Sequence, residues 1–215
     1  NLRGLIKFLL RRDTTHNGEF AALWRFVNPQ SPKIVIDVGA NDGFYGSNSY
    51  PFIARGWRAV MIEPHPVVFK RLEKRFARSP QVTCLQIACS NTTGTLPFYV
   101  GADGEAPSLS TLCTDPDPGF RKGRLDQTIN VKVDTLNNVL HSLAISRDIG
   151  VLSVDAEGMD YEVLLGLDFP RWRPRVIITE NYRPKEAAKA TYLTEQGYAF
   201  QGKIHSNTLW TTSAP

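Results

Sequence analysis

The chain has 215 residues, 42% hydrophobic and 21% charged, which is ordinary globular usage and enough length to bury one core without covalent staples. Lysine and arginine total 25 and aspartate and glutamate 21, a net charge of +4; this falls short of the dense basic stripe of a nucleic-acid binder, although an anionic substrate is compatible with it. Cys84, Cys89 and Cys113 form neither a disulfide framework nor a CxxC zinc pair; they point to reduced thiols and a cytoplasmic location, and no apolar run is long enough to cross a bilayer.

In chain order, Leu2, Leu5, Ile6 and Leu9 share one helical face among Arg3, Lys7, Arg11 and Arg12. An amphipathic helix packed on the domain is expected there, rather than a membrane-surface anchor. A second short helix over Asn17–Val27 stops at Asn28-Pro29. Residues 1–30 thus read as a helical extension and residues 31–215 as one domain. Strands are predicted at Ile34–Val38, Ala59–Ile62 and Val82–Ala88, with helices at Asn48–Arg55 and from Pro66 to Ala77. Thr95–Val100 alternates like an outer strand. Gly101–Gln127 is rich in glycine and proline and shows no period. An aperiodic stretch of that length is a lid or is disordered, and its Arg121, Lys122 and Arg124 would attract an anionic acceptor if it closes over a site. Strands follow at Thr128–Val133, Val151–Asp155 and Val176–Glu180, separated by helices at Thr135–Ser142, capped by Asp134, and Met159–Gly166. A helix over Pro184–Glu195 and a strand pair, Tyr198–Lys203 and Asn207–Thr211, complete the chain.

Strands and helices alternate, so the expected fold is α/β: a Rossmann-like, mainly parallel sheet with helices on both faces and an antiparallel C-terminal strand pair. Ligands in such sheets bind outside the carboxyl ends of the strands. Five strand ends are polar there: Asp37-Val-Gly, Glu63-Pro-His, Ala88-Cys-Ser, Asp155-Ala-Glu and Glu180-Asn-Tyr. The first opens a turn with Gly39 and Gly43, where backbone can approach a ligand closely. A dinucleotide fingerprint needs glycine at its third and sixth positions, occupied here by Asn41 and Phe44. S-adenosylmethionine carries no phosphate, and Asp37 and Asn41 suit its amino-acid tail. Glu63, ending the second strand, suits the two ribose hydroxyls of an adenosine.

Three segments carry a resemblance. Ile36-Asp-Val-Gly-Ala-Asn-Asp-Gly, Ile62-Glu-Pro-His-Pro and Leu152-Ser-Val-Asp-Ala-Glu-Gly-Met-Asp-Tyr-Glu-Val-Leu, in this order, resemble the FkbM family of S-adenosylmethionine-dependent methyltransferases, over roughly Ser31–Trp210. The resemblance implies a class I methyltransferase fold and, commonly, O-methylation of hydroxyls on carbohydrates or small secondary metabolites. By it, Asp37, Gly39, Ala40, Asn41, Gly43, Glu63, Ala88 and Cys89 would contact the cofactor, and the family's acidic motif maps onto Asp155, Glu157 and Gly158. Where many members carry lysine this chain has Ser153, which removes a positive charge near the site.

Asp155 and Glu157 are spaced i, i+2 and would share one face of an extended strand. They are the candidate catalytic pair: as base or orienting group for an acceptor hydroxyl, as ligands of a divalent metal such as Mg²⁺, or as caps of the helix that follows. His65 and His205 are further candidate bases. Glu180, Asn181 and Tyr182 are expected to form the acceptor pocket. Two other functions fit a nucleotide-type turn: an NAD-type oxidoreductase and a non-catalytic cofactor-binding scaffold.

Overall fold

In the computed structural model the residues described are 13–27, 30–101, 110–112, 125–181 and 185–212. The expected helix at Leu2–Leu10, the Arg121, Lys122 and Arg124 cluster, Cys113, Tyr182 and most of the glycine-rich stretch lie outside them. The described strands are β1 (Ile34–Val38), β2 (Arg58–Ile62), β3 (Val82–Leu85), β4 (Ala88–Ser90), β5 (Gly94–Gly101), β6 (Leu125–Thr135), β7 (Asp148–Val154), β8 (Arg173–Glu180), β9 (Tyr198–Ile204) and β10 (Asn207–Thr212). The helices are α1 (Glu19–Trp24), α2 (Tyr50–Ile53), α3 (Pro66–Phe76), α4 (Leu136–Ser142), α5 (Asp160–Leu165) and α6 (Glu186–Glu195).

Seven strands form the main sheet in the order β3-β2-β1-β7-β8-β10-β9. The first five run parallel, and β10 is antiparallel to both β8 and β9. Every residue of β1 is buried, which is why Ile-Val-Ile-Asp-Val reads as a continuous run and not as an alternation. The two faces nevertheless pack separately. Ile34, Ile36 and Val38 join Leu136, Leu140, Leu164 and Phe169 in one layer, while Val35 joins Phe52, Met61, Leu72 and Val151 in the other. Asp37 shares the parity of Val35, so a carboxylate enters an apolar layer. From β1 the chain builds outward through β2 and β3, then returns to lay β7 on the other side of β1. The gap above β1 and β7 is the topological switch point.

A three-stranded sheet, β4-β6-β5, sits apart from the main one around Phe98, Val100, Leu112, Val131 and Val133. It corrects the expected third strand over Val82–Ala88. Val82–Leu85 pairs with β2, whereas Ala88–Ser90 leaves the sheet and pairs with Val133–Thr135 of β6. The long loop is also partly structured, since Thr111 bridges Tyr99 of β5. The helix expected over Asn48–Arg55 shortens to one turn, and the Ser49 hydroxyl at its start donates to Asp37 instead of capping. The cap of α4 is Thr135, which accepts from Asn138 N–H, while Asp134 accepts from Thr135 N–H and the Asn138 amide.

The segment ahead of β1 packs on this body. Phe20 and Trp24 meet Phe52 at 5.0 and 5.9 Å between ring centroids, and the Arg55 guanidinium lies 4.4 Å over Phe20. Aromatic and cation–π contacts of this kind hold α1 against α2.

Two glycines let the strand ends meet. Gly39 (φ +82°) has the Asp155 carbonyl oxygen 1.8 Å from where a β-carbon would sit, and Gly43 (φ +73°) has Leu72 and Phe76 side-chain atoms at 2.5 and 2.6 Å. Gly56 (φ +81°) has nothing within 4 Å. Chemical denaturation should therefore rank Gly39→Ala as most damaging, at about 3 kcal/mol or more, Gly43→Ala next, and Gly56→Ala near the ~1 kcal/mol cost of a left-handed residue alone. A Gly56 variant as unstable as the Gly39 variant would show that backbone strain, not the approach of β7, sets the requirement.

Candidate active site

The turn after β1 spends its own donors. Gly39 and Ala40 N–H both donate to Ile62 carbonyl at 3.0 Å, and Gly43 N–H donates to Ala40 carbonyl at 2.9 Å. Asn41 N–H donates to Glu63 Oε2 at 3.0 Å, Asp42 N–H to Asn41 Oδ1 at 2.7 Å, and Phe44 and Tyr45 N–H to Asp42 Oδ1 at 2.9 and 3.0 Å. Asp42 is itself clamped by Arg75 at 2.8 Å. From Gly39 to Tyr45 each N–H already has an acceptor. A pyrophosphate site works by aiming unpaired N–H groups at the anion, so this turn is no phosphate cradle, and the NAD-type alternative loses its binding element. Asn41 adopts φ +50°, a left-handed conformation that asparagine tolerates.

A cavity of about 220 Å³ opens above β1 and β7. Its lining includes Asp37, Gly39, Ala40, Asn41, Glu63, Ala88, Cys89, Asp155 and Glu157, so the structure brings together nearly all the sequence-predicted cofactor and catalytic positions. Gly43 is the exception: it faces α3 and not the cavity. Its conformational freedom serves packing.

Glu63 is fixed by two amides, Asn41 N–H on Oε2 and His65 N–H on Oε1 at 2.8 Å. Each carboxylate oxygen keeps a further lone pair. Burial pushes its pKa up to about 7; the two amides oppose the shift and Asp37 adds to it. Burial likewise raises Asp37, opposed by hydroxyl hydrogen bonds from Ser49, at 2.5 Å, and Ser153. Ser153 is paired in register with Asp37 and accepts from the Asn48 amide at 3.2 Å.

β7 ends at Val154, and the next residues leave extended geometry: Glu157 takes φ +50° and Gly158 φ +93°. Asp155 and Glu157 thus reach the cavity from a tight turn, a correction to the extended strand end expected from their spacing. Asp160, at the start of α5, positions that turn. Its two oxygens accept Glu180 N–H at 3.0 Å and Ala156 N–H at 3.4 Å, tying the end of β7 to the end of β8. Lys189 of α6 is buried beside it and donates to the Glu180 carbonyl. Asp155 opens onto the cavity, yet enclosure by protein raises its pKa well above the carboxylate range; Glu180, Asp160 and Asp37 add to the rise and Lys189 opposes it. Burial and then Asp155 raise Glu157 in the same way. Burial lifts Asp160 to about 7 against the pull of Lys189.

Other expectations are corrected. His65 caps α3, its Nδ1 accepting from Val67 and Val68 N–H at 3.2 and 3.3 Å; a ring so engaged is a neutral cap and not a base. His205 sits at φ +56° between β9 and β10. Glu180 and Asn181 are outside the cavity lining. Asn181 is held by Glu186 and Ser206, and Tyr182 lies outside the described residues. Among the described residues no group of three or more His, Cys, Asp or Glu is arranged to hold a metal ion. Sequence reasoning missed the roof, to which Phe98, Ser110, Leu112 and Met159 contribute, and His16 at the mouth. No local motif marks these residues; they meet only because the small sheet folds over the strand ends.

Comparison with known proteins identifies the family and the fold. The FkbM methyltransferase domain matches residues 37–200. Methyltransferase sdnD of Sordaria araneosa is 27% identical over 185 residues, covering 73% of this chain and 68% of the relative. The FkbM methyltransferase structure from Methylobacillus flagellatus KT superposes with a TM-score of 0.52 at 13% identity, covering 98% of this chain and 59% of that one. A putative caffeoyl-CoA O-methyltransferase from Staphylococcus aureus superposes at 0.56 and 9% identity, covering 97% and 89%. At such identities the structures establish a shared fold. This chain spans about three fifths of the Methylobacillus protein's length. The domain match begins at Asp37 and takes in Glu63, Asp155 and Glu157, the carboxylates that line the cavity: this chain belongs to the FkbM methyltransferase family.

Proposed function

We propose that the protein transfers the methyl group of S-adenosyl-L-methionine to a hydroxyl oxygen of a carbohydrate or small secondary metabolite. The observation that carries this reading is the placement of two carboxylates, Asp155 and Glu157, in the same cavity as Glu63. A carboxylate beside a reacting hydroxyl orients it and, in its ionised form, accepts its proton. In this reading Glu63 accepts the ribose hydroxyls through its remaining lone pairs, Asp37 and Asn41 lie by the amino-acid end, and Ala88 and Cys89 border the adenine. The bound donor supplies an electrophilic methyl carbon whose bond to sulfur breaks, the electron pair staying on sulfur, as the bond to oxygen forms. Asp155 and Glu157 orient the acceptor hydroxyl in line with that carbon and take its proton, so most of the rate comes from positioning. The cavity's acidity also complements a cationic donor. The mild net charge of the chain favours a small acceptor over a nucleic acid.

Three results would test this. First, calorimetry should find donor affinity lowered about tenfold or more in Glu63→Gln, on the order of 1.4 kcal/mol. Wild-type affinity should rise from pH 6 to pH 8 as Glu63 loses its proton and becomes a full acceptor, and the Gln variant should show a smaller rise. Unchanged affinity in the variant would remove Glu63 from the ribose. Second, Asp155→Asn and Glu157→Gln should each lower kcat by about a hundredfold with donor affinity nearly kept, measured by donor turnover with a panel of hydroxylated acceptors. Donor binding without turnover on any acceptor, in the wild type, would favour a non-catalytic scaffold. Third, Glu63 binds its proton more tightly folded, at about 7, than unfolded, near 4.5. Its contribution to stability is therefore complete below pH 4.5 and lost as pH rises through 7. Thermal melts of the ligand-free protein should fall between pH 5 and pH 8, and fall less in Glu63→Gln.

A further inference from the structure

The ionisable side chains around the cavity are nearly all acids. Asp37, Glu63, Asp155 and Glu157 all line it, and among the described lining residues His16 is the single side chain able to carry a positive charge. Ser153, on the floor between Asp37 and Asn48, contributes none. A donor with an amino-acid end brings a carboxylate as well as an ammonium group, and a carboxylate taken out of water needs a hydrogen-bond donor, best a charged one, which acids lining the site do not supply.

The backbone on either side of His16 is held in place. On one side, Asp13 accepts from Thr15 N–H at 2.9 Å and from the Thr15 hydroxyl, and Thr15 bridges Gly46 in parallel. On the other, Asn17 donates through its backbone N–H and its side-chain amide to Glu19, at 2.8 and 3.0 Å, and Glu19 is tied to Asn207 of β10 at 3.2 Å. The ring stacks edge-on against Tyr45, with centroids 5.3 Å apart. Its Nε2 lies 2.1 Å from where a β-carbon on Gly46 would sit, so a side chain at 46 would displace the ring. The imidazole thus stands at the mouth beside Ser47 and Asn48, on the segment that runs over the turn. It also lies upstream of the family match, which begins at residue 37.

We infer that His16 receives the carboxylate of the donor's amino-acid end. This rests on the donor reading above, and it gives that role to a residue outside the matched domain. His16 is a binding residue here and takes no part in proton transfer.

The test compares S-adenosylmethionine with its decarboxylated analogue, which differs only by the carboxylate, using calorimetry on the full chain. Wild type should prefer the intact donor by about tenfold or more, as expected of one charge-assisted hydrogen bond. His16→Phe keeps an aromatic ring against Tyr45 and Gly46 and removes the nitrogens. It should cut that preference to under about threefold while binding the decarboxylated analogue within about twofold of wild type. His16→Ala, checked for folding by circular dichroism, should agree. If the preference survives in both variants, or both ligands weaken equally, His16 is not the carboxylate partner and the donor reading stands. Equal binding of the two ligands by wild type overturns the assignment as well. Failure of wild type to bind either ligand overturns the donor reading and the inference with it.

Discussion

The carbonyl oxygen of Asp155 lies 1.8 Å from the point where a side chain on residue 39 would begin. Asp155 N–H donates to Val38 carbonyl at 2.9 Å, the last rung between β1 and β7. Glycine at 39 lets the two strand ends close to this distance and then turn apart. Because the sheet order reverses here, no crossover helix covers the gap, and the residues just past the rung border open space. Asp37, Asp155 and Glu157 share one cavity for this reason. A side chain on residue 39 would push the ends apart, and the amides that hold Glu63 would shift with the turn.

The same closeness sets the electrostatics. Carboxylates drawn together at the mouth of a buried sheet lose hydration and repel one another, so each holds its proton more tightly. Two devices keep the arrangement from unfolding. Backbone amides and hydroxyls fix the carboxylates individually, as at Glu63 and Asp37. Lys189 supplies a buried positive charge beside Asp160 and Glu180, and its removal would leave those acids uncompensated. What remains unneutralised faces the cavity.

The small sheet has a separate task. It contributes little to the main core, gathering its own apolar cluster around Phe98 and Val131. It is joined to the turn that carries Asp155 and Glu157 through the Thr111 hydroxyl, which donates to the Glu157 carbonyl at 2.7 Å. Roof and turn are therefore coupled by a direct bond. The segment carrying His16 closes the opposite side, so the cavity is bounded by the sheet below, the small sheet above and the N-terminal segment at the mouth.

Much of this could be read along the chain. The buried parallel strands, their acidic ends and the helices between them follow from local hydrophobic period and from Gly39, Glu63 and Asp155 standing directly after apolar runs. The sequence also distinguished the turn from a dinucleotide fingerprint, through Asn41 and Phe44. It misread features that depend on partners remote in sequence. Gly43 looks like a ligand glycine until α3 packs on it, and His65 looks like a base until its Nδ1 is seen to cap that helix. The apolar run Val82–Ala88 looks like one strand until its end pairs with β6. Residue type and short-range spacing determined which groups carry chemistry, because a strand's period and its terminal polar residue are local properties. Only the tertiary structure decided which of them face one cavity, and that His16 joins them, because that depends on how close separate backbones can approach.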